Sequence, residues 1–428
     1  MRACPLAPLV LLLSCHADWD NAAQFQPRAL AMLVWHGSTD IAVGRAERGA
    51  WRMNESRYDY VDDPTVAIDE RGGIAVAWVD QARKDVFFQR FSAEGRKLGQ
   101  WVNVSRSPAV FSWLPRIVVD SKQRVFVLWQ EIIFSGGSHG GDILFARSED
   151  GGRNFSAPVN LSSSIAGDGK GRINKDYWHN GSLDLALGAD GTLYVAWTEY
   201  EGALWVRRSR DGGRTFSGRL RISEAKPARG PALALGPNGI VYLAWTVGDE
   251  TAGIRVVKST DGGGSFGASV IVERSKGYSD APKLAVDAAG ALHLVYAARQ
   301  RILYSRSTDG ARSFAAPRDI SGANAGFPAL NLDGKGNLYV LWERFADSPV
   351  RPRGLALALS NDGGGTFAEP VLVPESADAG WNGSSQGLLM RKLAVNRHGA
   401  FAIVNSSFKD KERSRVWLIR GQLKRDST

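Results

Sequence analysis

Short apolar runs, each closed by a large aromatic, recur along the chain at a nearly fixed spacing. LVW ends at Trp35, AVAW at Trp78, FVLW at Trp129, YVAW at Trp197, YLAW at Trp245, HLVY at Tyr296 and YVLW at Trp342, with FAIVN at Asn405 a degenerate eighth. Fourteen residues before five of these ends stands a proline: Pro64, Pro115, Pro231, Pro282 and Pro328. Leu183 and Arg391 hold that place before Trp197 and Asn405. Between the two markers lie an apolar run and a polar turn, as in VAID-ERGG, LALG-ADGT and LNLD-GKGN. Each unit therefore predicts a hairpin of an inner and a second strand.

A second pattern follows each of these hairpins from the second unit to the sixth. SEDGGRNF begins at Ser148, SRDGGRTF at Ser209, STDGGGSF at Ser259, STDGARSF at Ser307 and SNDGGGTF at Ser360, each after a strand-like run such as ILFAR or LWVRR. Ser and Asp side chains bond backbone N–H groups in tight turns, and paired glycines take positive φ without steric cost. Asp150, Asp211, Asp261, Asp309 and Asp362 are accordingly read as structural, since a catalytic site needs one set of groups and not five. The terminal Phe of each copy anchors the corner. With a short outer strand such as APVNLS after it, the module becomes a four-stranded antiparallel blade, and repetition makes an all-β propeller.

The motif S-x-D-G-G-x-x-F resembles the Asp box (BNR repeat) of the sialidase superfamily. That resemblance implies a β-propeller and, in its enzymes, exo-glycosidase chemistry. A catalytic sialidase also implies an Arg-Ile-Pro step on the first inner strand, three arginines on the substrate carboxylate, a Tyr/Glu nucleophile pair and an Asp acid/base. This sequence departs from that pattern: its first inner strand reads Asp62-Asp63-Pro64-Thr65-Val66. Fold alone does not settle chemistry.

Seven inner strands can be counted between Pro64 and Arg391, so seven blades are expected, with six or eight the alternatives. The last module lacks a box and an outer strand, and Trp51-Arg52-Met53-Asn54 reads as an outer strand without a module. Pairing the two would close the ring. Residues 29–47 look like a second and third strand, which leaves an extra N-terminal blade open.

The 428 residues include 48 glycines and 14 tryptophans, which suits short strands joined by tight turns. Residues 1–15, ending Leu12-Leu13-Ser14-Cys15, have the layout of a secretory leader and resemble a bacterial lipobox. The expectation is an exported lipoprotein of the cell envelope, with residues 16–428 forming one propeller domain, monomeric. The two cysteines, Cys4 and Cys15, both lie in the leader, so the body has no disulfide. The net charge of +9 comes from scattered Arg and Lys rather than a basic run, which argues against nucleic acid. His36, His139, His179, His293 and His398 show no paired ligand spacing, and no metal or cofactor is expected.

Function is sought where the repeat breaks, in the long loops at residues 131–141, 163–180, 343–354 and 375–390. Acids, arginines and aromatics there suit a sugar site: aromatic faces stack on pyranose rings, Arg forks grip carboxylates, and two carboxyl groups can flank a glycosidic bond. Glu131, Glu199, Tyr200, Asp280 and Glu343 are the candidate catalytic groups. Arg116, Arg172, Trp178, Arg344, Trp381 and Arg391 are the candidate glycan-binding groups. Two functions remain open at this point, a sialidase-like exo-glycosidase and a non-catalytic propeller that binds glycan or protein.

Overall fold

The computed structural model describes residues 31–47, 57–135, 138–140, 142–162, 171–174, 177–179, 183–199, 203–223, 228–247, 253–274, 279–383 and 390–425. Seven antiparallel blades follow one another around a ring, and within the first six the strands of the blade pair in chain order from the inner strand outward. Blade 1 runs from Val61–Ile68 through Ile74–Asp80 and Asp85–Phe91 to Lys97–Asn103. The inner strands of blades 2 to 6 are Phe111–Val119, Leu183–Leu187, Ala228–Leu235, Ser279–Val286 and Ala325–Leu332. Among the described residues the one helical piece is a 3₁₀ turn at Pro237–Gly239.

Blade 7 is made from both ends of the chain. Leu393–Val395, Ala400–Lys409 and Arg413–Arg425 supply its inner three strands, and Ala31–Gly44 pairs antiparallel with the last of them. This corrects one expectation: the strand that closes the ring is Ala31–Gly44, and the described residues form no eighth blade. Its eleven paired positions match the long final strand, which extends well beyond the usual blade length. Residues 1–30, with Cys15, and the stretch Trp51–Asn54 lie outside the described residues.

The repeated proline has a backbone cause. The residue before each one has positive φ: Asp63 (51°), Leu114 (55°), Gly230 (56°), Ala281 (52°) and Phe327 (51°). The pairing register slips at the same five points, between Asp62 and Thr65, Trp113 and Arg116, Arg229 and Ala232, Asp280 and Lys283, and Gly326 and Ala329. Each of these five inner strands thus opens with a bulge, where a residue lacking an N–H leaves no ladder bond broken.

The core lies between blades. Val76 and Trp78 of blade 1 pack with Val404 and Leu418 of blade 7, and Val79 and Phe88 pack with Val127 and Trp129 of blade 2. Trp129 and Trp197 are completely buried, which fits the reading of the strand-end aromatics as inter-blade packing.

The five S-x-D turns share one geometry. Ser209 Oγ donates to Asp211 Oδ1 at 2.8 Å and accepts from Gly213 N at 2.9 Å. Asp211 Oδ1 also takes the N–H groups of Arg214 and Thr215, both at 2.9 Å. The closing Phe reaches back to the preceding blade, Phe155 on Phe88 and Phe216 on Phe145, with centroids 5.3 and 5.0 Å apart. The second glycine is a close approach: a methyl at Gly213 would stand 2.5 Å from Phe145 Cε1. Ala311 holds the same position at φ 66° and is buried in one cluster with Val256 and Tyr242. The basic residues before the box serines also work between blades: Arg208 Nη1 donates to Asp261 O at 3.2 Å and Arg306 Nη1 to Gly363 O at 2.8 Å.

Candidate functional site

A central channel of about 550 Å³ is lined by the inner strands of all seven blades. Its walls are apolar except for Asn331 and three charged residues, Asp184, Lys283 and Arg391. All three charges come from the starts of inner strands, so they gather at one mouth. A bulge precedes Arg116 in blade 2 and Lys283 in blade 5, whereas Asp184 stands in the unbulged inner strand of blade 3 and Arg391 two residues before the inner strand of blade 7.

Asp184 is the hub. Its Oδ2 accepts from Leu233 N of the next blade at 2.8 Å, and its Oδ1 accepts from Arg391 Nη2 at 2.6 Å. Arg116 Nε stands 3.8 Å from the same Oδ1. Asp184 belongs to blade 3 and Arg391 to blade 7, which are not neighbours, so this ion pair spans the mouth. Arg116, 2% exposed, also donates to Pro115 O at 3.2 Å and to Met390 Sδ at 3.5 Å. Burial, reinforced by Arg391, brings Arg116 down to about 10 against the pull of Asp184, and it stays charged at neutral pH.

Lys283 is half-buried. Burial pulls its ammonium down to about 8, Arg116 and Arg391 push the same way, and Asp184 and Asp280 oppose them. Asp63 moves in the opposite sense: burial and the adjacent Asp62 raise its carboxyl well above the usual range. The bond from Leu114 N, at 3.0 Å, and the charges of Arg116 and Lys392 offset only part of that rise.

Two further charged knots flank the mouth. Glu343, 1% exposed, accepts from Lys392 Nζ and Asn382 Nδ2, and Lys392 Nζ also donates to Asn405 Oδ1 at 2.9 Å. Asp280 is joined to Arg229 Nε at 3.1 Å and to Thr246 Oγ1 at 3.4 Å.

The residues singled out by sequence fall in distinct places. Arg116 and Arg391 come together on Asp184. Asp280 and Glu343 sit in the flanking knots. Glu131 accepts from Ser107 Oγ and from Trp129 Nε1 at 3.3 Å, and burial raises its carboxyl. Glu199 pairs with Arg219 at 2.9 Å. Trp381 lies under the Arg353 guanidinium, 4.2 Å from its ring centroid, in a side pocket with Arg351, Phe408 and Lys409 that shares no lining residue with the channel. Arg344 stands at the outer end of the second strand of blade 6, where its N–H donates to Gly354 O at 3.2 Å. Arg172 and Trp178 belong to a small hairpin, Gly171–Asn174 with Tyr177–His179, of which only the backbone is described. Tyr200 lies outside the described residues.

Sequence reasoning missed Asp184, Lys283 and Lys392. Their signal was the register itself: the position after the repeat proline reads Thr65, Arg116, Asp184, Ala232, Lys283, Ala329 and Lys392 around the ring. Four charges at one position of an otherwise apolar strand mark a shared polar site. Among the described residues no group of three or more His, Cys, Asp or Glu side chains is placed to hold a metal ion.

No family model matches this chain, and no curated protein matches it. Solved structures do. An ulvan lyase of polysaccharide lyase family PL25, bound to -[GlcA(1-4)Rha3S]-, is 13% identical with a TM-score of 0.56 over 88% of this chain and 95% of its own. The polysaccharide lyase Uly1 is 11% identical with a TM-score of 0.54 over 92% of this chain and 100% of its own. The Hadza microbial sialidase Hz136 is 14% identical with a TM-score of 0.47 over 90% and 92%. At these identities the similarity to the two lyases is one of fold alone.

Proposed function

We propose that this chain is a glycan-acting propeller whose ligand is an acidic saccharide, seated at the channel mouth with its anionic group on Arg391. The observation that carries this reading is the Arg391–Asp184 bridge across the mouth. Two guanidiniums, Arg116 and Arg391, share one channel carboxylate, so the mouth holds a surplus of positive charge in a half-dry setting where charge-assisted bonds are strong. Arg391 keeps 27% of its side chain exposed and can offer its fork to a second carboxylate or sulfate. Two propellers of similar fold act on acidic polysaccharides or carry the name polysaccharide lyase, which supports this choice of ligand class.

Sialidase-type hydrolysis, the finer form of the expectation, would draw its acid and nucleophile from Glu131, Glu199, Tyr200, Asp280 and Glu343. The ties of Glu343 to Lys392 and of Asp280 to Arg229 favour instead a ligand engaged without a free carboxylate pair. Export and tethering through Cys15 belong to the same proposal and rest on the leader residues. The test is an array of sialylated, uronate-containing, sulfated and neutral glycans, probed with the mature chain and with Arg391→Ala. Retention on acidic glycans that is lost in the variant supports the reading. Retention on neutral glycans only, or on none, overturns it and turns attention to a protein partner.

A further inference from the structure

Resting on that ligand reading, we infer that Lys283 is the proton acceptor of a β-elimination carried out on a uronic acid residue bound at the channel mouth.

The chemistry needs two groups and no carboxylate pair. A proton on the carbon beside a carboxylate is removable only when the carboxylate charge is neutralised, and Arg391 at the mouth supplies that neutralisation. A base must then face the sugar from the channel side. Lys283 lines the same channel as Arg391 and stands at the equivalent strand position to Asp184 and Arg116. Among the described residues its ammonium takes part in no hydrogen bond or ion pair, whereas Asp184, Arg116, Arg391 and Asp280 are all engaged. Those four are the charged groups that act most strongly on Lys283, two carboxylates and two guanidiniums. Burial and the guanidiniums outweigh the carboxylates, so the amine is available as a free base near pH 8.

In the step, the C5–H electron pair forms the C4=C5 double bond as the proton passes to Lys283 Nζ. The C4–O bond breaks, and the leaving oxygen takes a proton from water at the open mouth. The ammonium on Lys283 gives its proton to the hydroxide left behind, which restores the amine. No oxidant, reductant or metal is required, and the products are an unsaturated uronate end and a new hydroxyl end.

The experiment uses the full mature chain with Lys283→Ala and Lys283→Arg, on polyglucuronate, polygalacturonate, alginate and a sulfated glucuronate–rhamnose polymer. It reads the ultraviolet absorbance of unsaturated ends, polymer binding by titration, and thermal melting. The inference expects unsaturated product from at least one polymer, with a rate that climbs through about pH 8 and levels above it. Both variants should lose about 10²-fold or more in rate, while melting as the wild type does and keeping binding within about tenfold. Arginine should not rescue, because a guanidinium does not give up its proton in this range. A Lys283→Ala variant that keeps its rate, or a wild type that binds these polymers without forming unsaturated ends, overturns the inference and leaves the acidic-glycan reading standing. Binding to no acidic polymer overturns both.

Discussion

The outer corners of the blades and the channel mouth both hold charged side chains, and the two settings move them by different physics. At the corners Asp211, Asp261 and Asp309 are open to solvent, and bonds from Thr215, Ser265 and Ser313, helped by the box serines and backbone N–H groups, hold their carboxyls below the usual range. At the mouth burial dominates: it raises Asp63 and lowers Lys283 and Arg116. Where hydrogen bonds satisfy a charge locally, the residue is a staple, and it can be copied five times. Where the charge is dry and answered from another blade, it is single, and its titration is set by burial.

The sharpest way to break this contrast is to remove the hub. Asp184→Ala strands the buried Arg116 and frees Arg391, and should cost about 3–5 kcal/mol in urea unfolding. A loss under about 1 kcal/mol would mean that the mouth is as well solvated as the corners. Within the corners, Gly213→Ala pushes a methyl onto Phe145 at a backbone position of φ 76°, and should cost about 2–4 kcal/mol. Ala311→Gly, at the equivalent place beside Val256, should cost under about 1 kcal/mol. Equal costs at the two positions would show that the glycine serves the turn and not the blade contact.

Asp211→Ala removes a staple that water partly replaces, so unfolding should weaken by about 1–2 kcal/mol while acidic-glycan retention stays unchanged. Lost retention with an unchanged melting temperature would make a corner functional. A small, pH-dependent effect is expected at Asp63→Asn. A carboxyl whose folded value is raised contributes stability at low pH that is lost as pH rises through that value. The asparagine lacks this loss, so its stability relative to the wild type should grow from pH 4 to pH 8 and reach about 1 kcal/mol. A gap that stays flat with pH would mean that Asp63 is ionised throughout.

The comparison also explains what the sequence could announce. The Pro-to-Trp spacing and the S-x-D turns are local devices with local physics, so the blades and their number were legible. The closing strand was misassigned because Ala31–Gly44 earns its place only by pairing with Arg413–Arg425 at the far end of the chain. Arg116 and Arg391 were visible as arginines out of pattern. Asp184 and Lys283 were not, because each sits in an ordinary-looking inner strand, and their meaning comes from ring closure, which brings blades 3, 5 and 7 around one mouth. Glu343 and Asp280 looked like free acids for the opposite reason: Lys392 and Arg229, which hold them, stand in other blades.

The central claim is that the mouth holds an acidic sugar through Arg391. Its most direct measurement is titration calorimetry of the mature chain and of Arg391→Ala with an oligouronate and with the same oligosaccharide reduced at its carboxyls. The account predicts binding of the acidic form alone, weakened about tenfold or more in the variant with the melting temperature kept. Equal affinity of the two proteins for the oligouronate would contradict it.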